Sequence, residues 1–193
     1  MSERSFGGRT LARSQALQLL FQAEAVGRSV TEILSGPYAL SKGPLDEYGE
    51  RIALGADAMR EELDAIISSS STNWTIDRMP SVDRNLLRLA IYEMLEVDEV
   101  AVAVSIDESV ELAKAYGTDE SSRFVNGLLG KVASDLEADV DVLVAAGHAQ
   151  TAGDGMGEAP LDEAHAEAVT GDLGETSGTD DVCDVAEDES DGE

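Results

Sequence analysis

Residues 105–132 read SIDESVELAKAYGTDESSRFVNGLLGKV, two amphipathic helix patterns joined at a glycine. Ser105 followed by Glu108 has the spacing of a capping box, in which hydroxyl and carboxylate satisfy backbone donors that a helix start leaves unpaired. The pattern predicts a helix opening there, with Ile106, Val110, Leu112 and Ala113 on its apolar side. Gly117 stands where a left-handed C-terminal residue is wanted, so the helix should stop at about Tyr116. Thr118 is the expected cap of a second helix, whose inner stripe is Val125, Leu128, Leu129 and Val132. Arg123 and Phe124 fall in its first turns, a cation beside an aromatic.

Helical periodicity extends outward through the first 131 residues. Thr10 is the expected cap of a helix running to about Val26. Ser29 with Glu32 forms a second capping box, opening a short helix that ends before Gly36 and Pro37, and residues 36–44 read as a loop. Residues 45–68 carry Tyr48, Ile52, Leu54, Ala58, Leu63 and Ile66 at mostly helical spacing, until a serine run breaks the pattern. After Trp74, Ile76 and Pro80, the set Leu86, Leu87, Leu89, Ala90, Ile91 and Met94 describes a strongly apolar helix that should be central to the core. Residues 100–104 are the only strand-like run; without a pairing partner they are read as an extended connector. The expected fold class is therefore all-α, a compact bundle of about six to seven helices over residues 1–138.

The 193 residues carry a formal net charge of −27, unevenly spread. All 13 Lys and Arg lie at or before Lys131, against 21 acids in the same span, and 19 acids follow with no base. A segment of that composition buries too little apolar surface to offset its ordering entropy, so residues 139–193 are expected to be a disordered acidic tail. A short apolar run, 140–146, is read as at most a turn or two added to the last helix. The single cysteine, Cys183, excludes a disulfide within one chain and suits a reducing cytoplasm. No apolar run long enough to span a bilayer and no secretory signal is seen, so a cytoplasmic location is expected.

Catalytic patterns are poorly supported. His148, His165 and Cys183 all fall in the acidic segment, where nothing would hold a nucleophile, a base and an orienting group together. Gly153, Gly155 and Gly157 imitate a phosphate loop, but no strand precedes them and acids surround them. The carboxylates lack calcium-loop spacing. No enzyme, cofactor or metal is expected.

Binding residues are more informative. Arg4, Arg9 and Arg13 cluster at the N-terminus with only Glu3 as counter-charge, either an anion-binding arm or an ordinary solvated helix start. Phe124 is either a core residue or an aromatic face for a base, since it and Val125 cannot both point straight inward. Asn126 and Gly127 are weak helix formers inside an otherwise good helix. Asn126 bonds either a ligand or a neighbouring backbone, and Gly127 allows close packing.

Three segments, VDRNLLRLAIYE at 82–93, IDESVELAK at 106–114 and RFVNGLL at 123–129, together resemble the bacterial NusB antitermination family. The resemblance covers residues 4–135. It implies a small all-helical protein without catalytic activity. Such a protein pairs with NusE, a small-subunit ribosomal protein, and binds the single-stranded boxA element of ribosomal RNA transcripts. With other Nus factors on the RNA polymerase elongation complex it suppresses premature termination. On this resemblance the RNA-binding residues are Arg4, Arg9, Arg13, Glu120, Arg123, Phe124 and Asn126, and the NusE surface is Gln18, Phe21 and Asp83. An apolar helix face also leaves a homodimer open. The chain departs from the family at Asp107, where asparagine is usual, at Ala101, near a usual proline, at Phe21, where tyrosine is common, and in the acidic extension past Leu136. A related domain also heads certain ribosomal RNA cytosine methyltransferases, but neither a glycine-rich cofactor loop nor a cysteine nucleophile follows here. The remaining alternative is a helical protein-interaction module without specific RNA binding. The acidic tail either covers the arginine arm or merely keeps the chain soluble.

Overall fold

The computed structural model describes residues 6–71, 74–138, 140–144 and 146. Among these the chain forms seven α-helices and one 3-10 turn: α1 Gly8–Val26, α2 Val30–Leu34, α3 Glu47–Ala58, α4 Arg60–Ser70, the 3-10 turn Ile76–Arg78, α5 Ser81–Glu96, α6 Val102–Tyr116 and α7 Ser121–Glu137. Helix α5 is the axis of the bundle and packs against α1, α3, α4, α6 and α7. Its Leu86, Leu87 and Ile91 are fully buried, meeting Leu19 and Leu20 of α1, Ile52 of α3, Leu112 of α6 and Leu129 of α7 in one core. The expected inner stripe of α7 is buried as well.

Two acid–base clusters set how α1 lies on α5. Near one end Arg13 Nε donates to Glu93 at 2.9 Å; near the other Arg84 Nη2 donates to Glu24 at 2.5 Å and Arg88 Nη1 at 2.7 Å. Rising residue number on α1 thus meets falling number on α5, so the pair is antiparallel. The backbones of α1 and α3 approach closely, so that a Cβ on Gly49 would lie 2.6 Å from the Ala12 carbonyl oxygen.

Several local expectations are corrected. Helix α6 begins at Val102, so residues 102–104 are its first turn and not an extended connector. Ser105 is buried inside that helix and donates to Glu93 at 2.5 Å; it is not a cap paired with Glu108. Satisfying a buried carboxylate outweighs capping, which solvent could replace at an exposed start. Gly117 is extended (φ −90°, ψ −167°), not left-handed, and is glycine because a Cβ would meet the Ser121 side chain at 2.5 Å. The turn after it runs opposite to expectation, with the Thr118 N–H donating to Ser121 Oγ at 2.8 Å and Glu120 at the cap position. Thr10 lies within α1, which starts after Gly7, and the 45–68 segment is two helices hinged at Met59 (φ −97°, ψ 22°). Residues 140–146 do not lengthen α7. A separate turn at 142–144 receives its cap from Asp141, whose Oδ1 accepts from the Leu143 and Val144 N–H groups. Val142 and Ala146 pack into the core, past the boundary expected at residue 138. The acidic tail beyond, with His148, Gly153, His165 and Cys183, lies outside the described residues.

Burial alone would raise the Glu24 carboxyl, but hydrogen bonds from Arg84 and Arg88 together outweigh it and hold the group at about 2, against an ordinary 4.5. A depressed carboxylate contributes stability that is complete above its unfolded value and lost as pH falls through the folded one. Urea denaturation should therefore show stability falling between about pH 4.5 and 2, by on the order of 2 kcal/mol from this group after allowing for partial solvent contact. Glu24→Gln should flatten that part of the profile; an unchanged profile would show the cluster to be inert.

Candidate nucleic-acid interface

The first turns of α7 resolve the competition between Phe124 and Val125. Val125 is fully buried, and Phe124 is turned onto the flank, partly buried, with its ring centroid 6.5 Å from that of Trp74 at a 53° tilt. The two rings stand in a groove of about 690 Å³ between α7 and the segment joining α4 to α5, which Asp83, Arg123, Gly127 and Lys131 also line. Arg123 is 85% exposed and touches Glu120 at 3.2 Å. A pair so exposed is worth little, so the guanidinium is held only loosely. Lys131 Nζ donates to the Ser69 and Ser70 carbonyls at the end of α4, which anchors it at the groove rim. Asn126 is exposed on the same helix.

The expected arginine arm divides. Arg4 lies outside the described residues. Arg9 is exposed, with its guanidinium 4.9 Å from the Tyr48 ring centroid. Arg13 is only 3% exposed, bonded through Nε to Glu93 and 3.5 Å from Glu108. Its charge is spent inside the fold, and it is not a free phosphate ligand. Glu93 also accepts hydrogen bonds from the Tyr48 hydroxyl and from Ser105. Burial and the neighbouring Glu93 push the Tyr48 phenol well above its ordinary range, so it remains a donor.

Glu93, which holds Arg13, and Asp83, in the aromatic groove, are ten positions apart on α5. At 1.5 Å per residue this is a separation of about 15 Å along the helix. Phe124 and Arg13 thus belong to different ends of α5. Phe6, just before α1, packs instead on the end of α6, its ring 6.1 Å from that of Tyr116, the last residue of that helix. The Tyr116 hydroxyl in turn bonds Ser14 at 2.7 Å.

Gln18 and Phe21 share a second groove of about 390 Å³ with Leu17, Ala39, Val82 and Tyr116. Phe21 is 45% exposed, and Gln18 is held by both the Ser41 backbone N–H and the Ser41 hydroxyl. Asp83, expected on the same surface, is 3% exposed and lines the aromatic groove instead. Burial pushes its carboxyl up, against a hydrogen bond from Ser121, and its Oδ1 has no partner among the described residues. Val82 and Tyr116 line this second groove, while Asp83 and Thr118, close to them in the chain, line the first.

Residues 10–134 match the model of the NusB family. The chain belongs to the NusB family. It is 46% identical over 128 residues to the transcription antitermination protein NusB of Salinispora tropica, covering 65% of this chain and 94% of that protein. Against the Bacillus subtilis protein of the same name identity is 40% over 129 residues, covering 67% and 97%. Among solved structures, T. maritima NusB matches with TM-score 0.58 and 32% identity over 68% of this chain and 94% of that one. A NusB solved with NusE and double-stranded RNA matches with TM-score 0.53 and 27% identity, over 63% and 92%.

On this NusB fold, sequence reasoning overlooked Trp74 as a site residue and Tyr48 and Glu93 as the hub that takes Arg13. Trp74 carried a usable signal, as a large ring beside polar residues with no helical stripe to join. Glu93 carried none, because an acid at a helix end reads as solvated. Among the described residues no group of three His, Cys, Asp or Glu is placed to hold a metal ion, and no helix is long and apolar enough to cross a membrane. Arg13→Ala should leave Glu93 buried without its cation and destabilise the fold by about 3–5 kcal/mol. Chemical denaturation measures this; a loss below about 1 kcal/mol would mean that Arg13 is dispensable to the fold.

Proposed function

We propose that this chain is a cytoplasmic, non-catalytic transcription antitermination factor that binds boxA RNA of ribosomal RNA transcripts together with NusE and supports processive elongation by RNA polymerase with other Nus factors. The observation that carries this is the partly buried Phe124 ring, paired with the exposed Trp74 in an open groove rimmed by Arg123 and Lys131, in a member of the NusB family. Rings supply stacking faces for unpaired bases, and cations at the rim supply phosphate contacts.

The RNA face runs from the groove over the α6–α7 turn to the start of α1, with Arg9, Glu120, Arg123, Phe124 and Asn126 along it; Arg4, outside the described residues, is a further proposed RNA-binding residue. Arg13 acts from beneath by holding Tyr48 and Glu93 in place. NusE takes the second groove, that of Gln18 and Phe21, whose apolar walls and glutamine suit a protein surface. Asp83 follows Val82 of that groove on α5 and supports the contact from this neighbouring position. The helical domain acts as one RNA-binding unit.

Co-purification with NusE followed by a gel shift on single-stranded boxA RNA tests this proposal. Phe124→Ala should weaken binding by about 5- to 100-fold, the worth of one stacked base, while the variant stays folded. If three phosphates are neutralised, log K should fall with log salt at a slope of about −2. Unchanged affinity of the folded variant, or a slope near zero, would overturn it in favour of an interaction module without specific RNA binding.

A further inference from the structure

Gln15, Gln18 and Gln22 recur at three- and four-residue intervals on α1, which sets their carboxamides in one row along the helix. Along that row lies the segment 39–46, part of the irregular stretch between α2 and α3. A carboxamide offers both a donor and an acceptor, as a neighbouring strand does, and the segment uses both. Gln22 donates to the Ala39 carbonyl at 2.8 Å and accepts from the Ala39 N–H at 3.0 Å. Gln18 accepts from the Ser41 N–H at 2.7 Å. Gln15 donates to the Lys42 carbonyl at 2.9 Å and the Pro44 carbonyl at 2.8 Å, and accepts from the Asp46 N–H at 2.9 Å.

The three clamps are not equivalent. Gln15 is fully buried, and without it buried polar groups would lose their partners, so its role is structural. The bonds of Gln18 and Gln22 to the segment lie at the surface, where water can replace them at little cost in stability. Water cannot replace the position they give the backbone. Ala39 and Gln22 line the groove that also holds Phe21, Val82 and Tyr116. A wall of irregular chain that is fixed before a partner arrives need not be ordered on binding, and affinity rises by the cost avoided.

We propose that Gln22, aided by Gln18, is a positioning residue that holds residues 39–41 as a preformed wall of the protein-docking groove, so that the partner packs on this held backbone as well as on Phe21. The proposal rests on the assignment of the groove to NusE argued above and adds Gln22 and residues 39–41 to it. Two roles are thereby separated on α1: Phe21, 45% exposed, offers apolar surface, while the neighbouring glutamines fix the wall.

The test uses the full chain and its Gln22→Met variant, which keeps the length of the side chain and removes both bonds to Ala39. Amide hydrogen exchange resolved by NMR reads the hold on the segment, calorimetry reads NusE affinity, and thermal unfolding reads the fold. Gln22→Met should leave Tm within about 3 °C of the unmodified chain, as a surface change does. It should speed exchange of the Ala39 amide by about tenfold and weaken NusE binding by about 5- to 30-fold, the cost of ordering one residue of backbone on binding. Faster exchange with unchanged NusE affinity would show that docking ignores the wall, and would overturn the proposal. Unchanged exchange would show that Gln22 does not hold the segment, so that any loss of binding comes from direct contact; this overturns it as well. A fall in Tm beyond about 5 °C would make the clamp part of the fold and overturn a positioning role. Failure of the unmodified chain to bind NusE would instead overturn the assignment of the groove on which the proposal rests.

Discussion

The Glu93 carboxylate, 2% exposed, is the constraint around which the bundle closes. It draws Arg13 from α1, the Tyr48 hydroxyl from α3 and Ser105 from α6, so that one buried acid ties three helices to α5. An ion pair this deep recovers little net stability over an apolar replacement, since desolvating both charges is expensive. Its effect here is positional. With its hydroxyl committed to Glu93, Tyr48 can turn its ring only toward the surface, where Arg9, Arg13 and Arg51 lie 4.9, 5.6 and 5.2 Å from its centroid. The exposed arginine of the arm thus owes its place to a buried carboxylate on another helix.

The second cluster completes this constraint. Glu24 on α1 takes Arg84 and Arg88 of α5, and Arg88 also takes Asp64 of α4 in a two-pronged contact at 2.6 and 2.7 Å. Paired charges at both ends of an antiparallel helix pair specify its register, because a slip of one turn would part buried Arg13 from buried Glu93 and Glu24 from Arg84 and Arg88. Leu17, Gln18 and Phe21 lie between these anchors on α1, and their exposure in the second groove follows from that register.

Much of this was legible in residue spacing, and what was missed has a common cause. The apolar stripes of α1, α5 and α7 are periodic over three or more turns, so their burial could be read directly. The Ser29–Glu32 capping box is also present, because both partners are local and exposed. The Ser105–Glu108 pair has the same spacing and a different fate. Its serine meets Glu93, twelve residues away in the chain, and no local pattern encodes that. The inward pairing of Arg13 is hidden for the same reason, as its partner is 80 residues distant. Gly117 shows a third kind of miss. A glycine is needed there, but to clear Ser121 and not to adopt a left-handed turn. Long-range polar pairing escapes periodicity because it depends on which two surfaces meet, and that is decided by the whole core.

The charge balance of the molecule then makes physical sense. A chain of net −27 would repel RNA if its charge acted as a whole, but at physiological ionic strength the screening length is about 8 Å. What an approaching strand feels is the local arrangement, and the fold sorts its cations by depth. Arg13, Arg84 and Arg88 are drawn inward to neutralise buried acids, while Arg9 and Arg123 remain outside around exposed aromatic surface. Arg9 lies against the Tyr48 ring, and Arg123 lines the groove of Trp74 and Phe124. On the proposed function, a strand drawn to such a cation meets an aromatic face beside it, so affinity and base contact would be coupled by geometry rather than by the amount of positive charge.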